Sequence, residues 1–337
     1  MFEQTTNLLH QLVHEKTVPG VSFAILTPQS TQTSVLGDKT WVPEKSPLLS
    51  SVSNLYDLAS LTKVLATTIR LVQLHEKALF DWNDEVIQYL PNFKHETITI
   101  LDLVTHASGL PKSIPHFVIE KPSDVMRYVY SAEQVKPAKE FVEYSDINFL
   151  LLGYLIEALA PEPFEKQIEQ HVLRPLGTKQ TSFYSADPKN SVPTELSDKR
   201  GLITGIVHDH KAFIAGGNTG HAGLFAPLED LLLFADAFLF KGGAPLFSRQ
   251  SLDAIRENYT PNLNRDRGIG FDLRKAQDHF ALYHTGFTGT FIVFDPVTQN
   301  GLIVLSNRIH PTRNNPLFLE KREEIVDTFL REVNQNK

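Results

Sequence analysis

The sequence contains no cysteine among its 337 residues, and it has no excess of positive charge. Without thiols there can be no disulfide framework, no thiolate metal site and no cysteine nucleophile. The 32 Lys and Arg residues are outnumbered by 39 Asp and Glu, which gives a formal net charge of −7. Nonspecific nucleic-acid binding needs clustered cations that neutralise phosphates, so we expect no nucleic-acid partner.

Long hydrophobic runs are also missing. The longest apolar stretches, 149–156 and 231–240, are too short to span a bilayer. The first residues lack the basic segment and apolar core of a signal peptide. We therefore expect a cytoplasmic protein without a membrane partner, or an extracytoplasmic one if the true start lies upstream of Met1.

Several catalytic signatures are absent as well. The sequence has no Gly-x-Ser-x-Gly elbow, no His-Glu-x-x-His, no Walker loop and no dinucleotide-binding Gly-x-Gly-x-x-Gly. The segment His208-Asp209-His210 has metal-binding residue types, but neighbours in one segment rarely converge on one ion without distant ligands. We interpret it as a polar loop and expect neither a metal nor a cofactor.

The periodicity of apolar residues predicts an α+β fold. At about 150 residues per domain, this length suggests roughly two structural regions. The pattern predicts helices over 3–16, 60–74, 146–159, 164–172, 228–240 and 317–333, and strands over 21–26, 33–36, 281–284, 291–295 and 302–306. We expect the early and late strands to form one antiparallel sheet flanked by helices, from residues 1–74 and 196–337, with a mostly helical subdomain over 75–195 inserted.

The tetrapeptide Ser60-Leu61-Thr62-Lys63 lies at the start of a predicted helix. Residues i and i+3 share a helix face, so the serine and the lysine can share a pocket. A serine hydroxyl needs a base to become a nucleophile, and a desolvated lysine can serve as that base. A helix start also offers backbone N–H groups to a developing oxyanion. Alone, the motif fits equally an N-cap serine followed by a solvated lysine.

Two later segments add to this motif. Tyr144-Ser145-Asp146 precedes a strong helix that Ser145 or Asp146 would cap, and His284-Thr285-Gly286 ends a late predicted strand. Taken singly, the tyrosine could be a buried aromatic whose hydroxyl is satisfied, and the Thr-Gly pair could be a simple turn.

Together and in this order, the three segments resemble the motifs of the serine β-lactamase and penicillin-binding-protein superfamily. Their order and spacing are similar to those of its class C-like branch, which includes DD-peptidases, esterases and D-amino-acid amidases. Further segments that look like this branch are 103–111, 175–177 and 220–225, and the resemblance extends from about residue 19 to residue 308.

The resemblance implies a role for each matching residue. Ser60 matches the nucleophile, Lys63 its lysine partner and Tyr144 the proton shuttle of a Tyr-x-Asn motif. The backbone amides of Ser60 and Phe287 match the oxyanion hole. The substrate-binding positions it implies are Asp146, His284, Thr285 and Gly286. The active site would lie between the sheet region and the helical subdomain.

Two of these positions depart from the family pattern. Asp146 stands where Asn is usual, and an ionised Asp only accepts hydrogen bonds, so it could hold Lys63 in its charged form. His284 stands where Lys is usual, and a largely neutral imidazole is a weaker partner for a substrate carboxylate. We therefore expect weak β-lactamase activity or none.

The resemblance accordingly implies a serine hydrolase that acts through an acyl-enzyme on small esters, amides or D-amino-acid peptides. It would be esterase-like or DD-carboxypeptidase-like, with weak or no β-lactamase activity. The alternative is a non-catalytic protein that binds penicillin or wall fragments and becomes acylated without turnover. The sequence leaves the natural substrate and the oligomeric state open.

Overall fold

A computed structural model describes residues 2–50, 53–115, 119–184 and 188–335. The helices in these ranges are α1 Glu3–His14, α2 Thr68–Glu76, α3 Ile100–Val104, α4 Pro122–Ser131, α5 Asp146–Leu159, α6 Phe164–Ile168, α7 Arg174–Leu176, α8 His210–Ile214, α9 Leu228–Leu239, α10 Arg249–Ile255 and α11 Pro316–Gln335. Two π-helical turns, Lys63–Thr67 and Glu169–Leu173, lead into α2 and α7, and Val86–Gln88 is a 3₁₀ turn. The strands are β1 Gly20–Leu26, β2 Thr31–Thr40, β3 Ser46–Pro47, β4 Tyr56–Asp57, β5 Leu196–Ser197, β6 Gly201–Leu202, β7 Phe225–Ala226, β8 Asp272–Ala276, β9 His279–Thr285, β10 Phe291–Asp295 and β11 Asn300–Ser306.

Seven strands form one antiparallel sheet in the order β3-β2-β1-β11-β10-β9-β8. The early and late strands meet where β1 pairs with β11, with Val21 opposite Ser306. The predicted α+β fold with an antiparallel sheet is therefore confirmed, as is the hairpin between β10 and β11. Strand β8 was not predicted from the sequence, because its charged residues break the apolar pattern. They are tolerated there because β8 is an edge strand.

Both faces of the sheet are covered. All seven residues of β1 are buried, and successive side chains of a strand point to opposite faces. Phe23 and Ile25 belong to a core with residues of α1 and α11, whereas Ala24 and Leu26 belong to the larger core that includes residues of α2, α5 and α9. The sheet is thus a layer that is covered on both faces, and the ends of its strands can carry functional side chains.

The segment 75–195 is less helical than predicted. The described parts of 105–121 and 132–145 are irregular, because they hydrogen-bond to each other instead of forming helices. Val135 N donates to Gly109 O, and Glu143 N donates to His106 O. The division of the chain into 1–74 with 196–337 and 75–195 stays a prediction.

Among the described residues, no single helix has the length and apolarity to cross a membrane. One pair of helical segments bent by 80°, Asp146–Leu159 with Phe164–Leu176, passes by length and composition alone.

Candidate active site

The turn that carries Ser60 is tightly constrained. It follows β4, which pairs with β7, and Ala59 adopts a left-handed backbone with φ of 47°. Such strain in a residue other than glycine concentrates at functional sites, where the surrounding structure over-determines it. Here the Ala59 N–H donates to the buried Asp57 carboxylate at 2.8 Å. The result is a partly exposed Ser60 between a buried strand and a buried helix.

Lys63 lies one helical turn after Ser60 and is fully buried. Its Nζ donates to Ser60 Oγ at 2.9 Å, to Asp146 Oδ1 at 2.9 Å and to the His221 carbonyl at 3.1 Å. An ammonium group has three donors, so all three are used. The structure therefore brings Ser60, Lys63 and Asp146 together as the sequence predicted.

The charge on Lys63 depends on Asp146. Burial by itself would lower the pKa of Lys63, but the Asp146 carboxylate and Tyr144 outweigh it and raise that pKa above its usual value. Burial would raise the pKa of Asp146, but Lys63 and then Lys211 outweigh it and lower that pKa to about 2. Lys63 is therefore an ammonium group and Asp146 a carboxylate at neutral pH.

Tyr144 completes the cluster. Its hydroxyl interacts with the side chains of Ser60 and Lys63, and burial raises its pKa while Lys63 opposes that shift. The phenol is therefore neutral at neutral pH. His106 packs against its ring with 4.5 Å between centroids, and the same imidazole accepts from the Ser145 N–H at 3.1 Å. The irregular segments thus fix Tyr144 at the start of α5.

The third motif is held against the serine turn. Thr288 Oγ1 donates to the Asp57 carbonyl at 2.7 Å, and Thr290 Oγ1 donates to the Leu58 carbonyl at 3.1 Å. A Cβ at Gly286 would lie 2.5 Å from that Leu58 oxygen, so only glycine permits the approach.

Phe287 follows this glycine. Within the described residues, neither its backbone N–H nor that of Ser60 donates a hydrogen bond to the chain. Two free amides near a serine are the donors that an oxyanion hole requires. The structure is therefore consistent with the predicted pair, and its role stays a prediction.

His284 lines the cavity and has one ring nitrogen without a partner among the described residues. Its Nδ1 lies 3.1 Å from the Thr285 carbonyl, and a carbonyl only accepts, so the proton resides on Nδ1. The buried Nε2 has no partner in the described part of the chain. Burial lowers the pKa of His284 to about 3. The imidazole is therefore neutral, and its Nε2 carries a lone pair.

A second lysine, which the sequence analysis missed, binds the other oxygen of Asp146. Lys211 Nζ lies 3.2 Å from Asp146 Oδ2 and 2.7 Å from Asp209 Oδ2. His221 Nε2 lies 2.9 Å from Asp209 Oδ1. The Gly-His-Ala-Gly segment around His221 was visible in the sequence, but no sequence signal links Lys211 to Asp146. Asp146 is thus a bridge between two buried lysines.

The same cluster contains potential metal ligands. Oxygen or nitrogen atoms of Asp146, Asp209 and His221 lie within 4.8 Å of one another. Both carboxylates, however, are already neutralised by lysine ammonium groups, which would repel a divalent cation. In the predicted polar loop, His208 pairs instead with Glu195 at 2.9 Å. We therefore assign these residues to an ion-pair network.

The bridge predicts opposite pH effects for its two sides. If Lys63 must lose a proton to act as a base, kcat/KM rises with pH as Lys63 deprotonates. In Asp146→Asn, Lys63 loses the negative charge that raises its pKa, so this rising limb should move to lower pH. In Lys211→Met, Asp146 loses the second lysine that shares its negative charge and interacts more strongly with Lys63, so the limb should move to higher pH. Profiles measured from pH 5 to 10 on a neutral ester would test this. Shifts in the same direction in both variants would contradict the bridge.

A cavity of about 890 Å³ unites these groups. Its lining includes Ser60, Tyr144, Asp146, His284 and Phe287. Apart from the buried Lys63, the predicted catalytic, oxyanion and substrate-binding residues therefore line one opening, where a small substrate can reach the serine hydroxyl.

Comparisons with known proteins agree with this geometry. A family model described as Beta-lactamase matches residues 5–323. A "Putative D-alanyl-D-alanine carboxypeptidase" of Salmonella agona (strain SL483) is 28% identical over 318 residues, covering 80% of this chain and 73% of its own. A protein with the same name from Escherichia coli (strain K12) is 26% identical over 339 residues, covering 85% and 77%.

Solved structures show the same fold. A beta-lactamase/D-alanine carboxypeptidase from Pseudomonas syringae superposes with a TM-score of 0.77 at 16% identity, covering 97% of each chain. A class C beta-lactamase superposes with a TM-score of 0.78 at 18% identity, covering 98% of this chain and 95% of its own. The resemblance inferred from the three motifs is confirmed.

Proposed function

Because the chain belongs to the beta-lactamase family, we propose that it is a serine hydrolase that forms an acyl-enzyme on Ser60. The observation that carries this proposal is the 2.9 Å contact between Lys63 Nζ and Ser60 Oγ. A nucleophile in hydrogen-bond contact with a potential base is the arrangement that covalent catalysis needs. Tyr144, beside both groups, supplies a second proton carrier.

Acylation begins when Ser60 Oγ attacks the substrate carbonyl. Its proton passes to the free-amine form of Lys63 and from there to Tyr144, while Tyr144 delivers its own proton to the leaving oxygen or nitrogen as that bond breaks. The amides of Ser60 and Phe287 stabilise the oxyanion. Because Asp146 favours the ammonium form of Lys63, the reactive state is a minor one, and we expect the rate to rise with pH.

Deacylation reverses these proton transfers. A water molecule attacks the Ser60 ester and gives its proton to Tyr144, while Tyr144 passes its own proton to Lys63. Lys63 then returns a proton to Ser60 Oγ as the acyl–oxygen bond breaks and the carboxylic acid leaves. The side chains of this one cluster, Ser60, Lys63 and Tyr144, thus serve both half-reactions.

The substrate class we propose is esters, amides or peptides ending in D-amino acids. The names of the bacterial relatives support a carboxypeptidase-like activity. The neutral imidazole of His284 offers no charge to a penicillin carboxylate, and this supports the proposal that β-lactamase activity is weak or absent. The alternative, a non-catalytic protein that binds penicillin or wall fragments without turnover, is favoured by one observation, the charged state of Lys63, which cannot accept the proton of Ser60.

A substrate panel separates the serine hydrolase from the non-catalytic binding protein. Purified protein would be incubated with p-nitrophenyl esters, amides, peptides ending in D-alanine and a labelled penicillin, beside Ser60→Ala. We expect many turnovers of at least one ester or peptide, all dependent on Ser60. A stable acyl adduct seen by mass spectrometry without product release would support the binding protein, and neither product nor adduct would exclude both.

A further inference from the structure

The cavity beside Ser60 is lined by five arginines, and their partners differ. Arg274 and Arg322 pair with Glu323, and Arg313 pairs with Glu195. Arg265 is exposed to solvent. Arg308 alone is both buried, with 5% of its surface exposed, and without a carboxylate partner among the residues that the structure describes.

The position of Arg308 is fixed by Phe287. Its Nε donates to the Phe287 carbonyl at 2.9 Å, and its guanidinium lies over the Phe287 ring at 4.7 Å from the centroid. Its two Nη atoms make no hydrogen bond within the described chain, so they remain available on the cavity side. Charged groups are rarely buried unless they are paired. An anion bound beside the Arg308 guanidinium would therefore stabilise it.

The charge on Arg308 persists at neutral pH. Burial and then the neighbouring Arg322 lower its pKa to about 10. That value still leaves the guanidinium protonated. The shift shows how unfavourable the site is for a cation that has no anion beside it.

His284 cannot fill the same role. Its only N–H is committed to the Thr285 carbonyl, and its free Nε2 is an acceptor that would repel a carboxylate. The usual position for a charged residue in the third motif therefore offers no donor to an anion. Arg308, which also lines the cavity, has cationic donors without a partner in the described chain and is held by the carbonyl of Phe287, the residue after Gly286.

We propose that Arg308 is the anion-binding residue of this site and that the preferred substrates carry a carboxylate beside the scissile carbonyl. The proposal rests on the proposed acyl-transfer function. Phe287 links the two, because its free N–H is the predicted oxyanion donor and its carbonyl anchors Arg308. A planar guanidinium with two free Nη atoms can bind both oxygens of a carboxylate.

Matched ester pairs test this proposal. One pair is p-nitrophenyl hemiglutarate and p-nitrophenyl pentanoate, and the other is m-carboxyphenyl acetate and phenyl acetate, so the charge lies on either side of the scissile bond. We expect Arg308→Gln to lower kcat/KM for at least one anionic ester by about 10–100-fold, the usual worth of a hydrogen bond to a charged group. Its effect on the neutral esters should stay within about 3-fold.

Arg313→Gln is the matched control, because Arg313 lines the same cavity over the same Phe287 ring, 5.9 Å from the centroid, but is paired with Glu195. It should change anionic and neutral esters equally. Equal losses on both members of each pair in Arg308→Gln, or a larger anion-specific loss in Arg313→Gln, would overturn the proposal.

Binding to Ser60→Ala separates this proposal from the proposed function. We expect m-carboxyphenyl acetate to raise the melting temperature of Ser60→Ala more than phenyl acetate does, and this difference should vanish in Ser60→Ala with Arg308→Gln. If the wild type shows no Ser60-dependent turnover but the binding difference is present, the anion site stands and the hydrolase proposal fails. Ser60-dependent turnover without any charge preference would leave only the hydrolase.

Discussion

Replacement of Ser60 by alanine is expected to abolish covalent labelling by a fluorophosphonate or penicillin probe. Hydrolysis of every substrate should fall by a factor on the order of 10⁶, the typical loss when a serine hydrolase loses its nucleophile. The reason is that Ser60 is the hydroxyl in contact with Lys63 and lines the cavity. Intact-mass spectrometry after probe incubation and steady-state kinetics would measure the two effects.

Ser108→Ala is the appropriate control. Ser108 also lies in a segment that resembles the family, but it is buried and its hydroxyl donates to Asn148 Oδ1 at 2.7 Å. Its loss should leave labelling at one probe per chain. The melting temperature of Ser60→Ala should stay close to that of the wild type, since Ser60 is partly exposed. Labelling that survives Ser60→Ala and disappears in Ser108→Ala would remove Ser60 from the mechanism.

The sequence predicted the parts of the site that lie within short segments. Ser60 and Lys63 share a helix face, and Ser145 caps α5, so local spacing was sufficient. The apolar strand β1 was equally clear because every one of its residues is buried. Charged residues concealed β8, since its two apolar residues, Leu273 and Ala276, are three positions apart and do not show the alternation of a half-buried strand.

The parts that could not be predicted depend on contacts between distant segments. Lys211 meets Asp146 only because α8 packs beside the start of α5, and no local pattern encodes that meeting. The tautomer of His284 depends on the direction of the Thr285 carbonyl. Arg308 stands apart from the other arginines of the cavity because it is buried and has no acid partner among the described residues, neither of which a sequence can reveal.

The second large effect concerns the proton path. Lys63→Ala and Tyr144→Phe should each lower kcat by about 10²–10⁴, the usual worth of a positioned proton-transfer group. Lys63 holds Ser60 Oγ directly, and the Tyr144 hydroxyl interacts with both, so one proton passes through all three groups. The double variant should therefore lose little more than the worse single variant.

Tyr283→Phe provides the matched control for the tyrosine. Tyr283 lines the same cavity and is buried, but its hydroxyl donates to Glu323 at 3.3 Å, outside the cluster around Ser60. Its kcat on a neutral ester should stay within about 3-fold of the wild type, because no proton-transfer group has been removed. Single losses that multiply in the double variant would mean that Lys63 and Tyr144 act independently. Lys63 would then remove the serine proton, and Tyr144 would protonate only the leaving group. Measuring the acylation burst and the steady-state rate in the same experiment would assign each loss to its step.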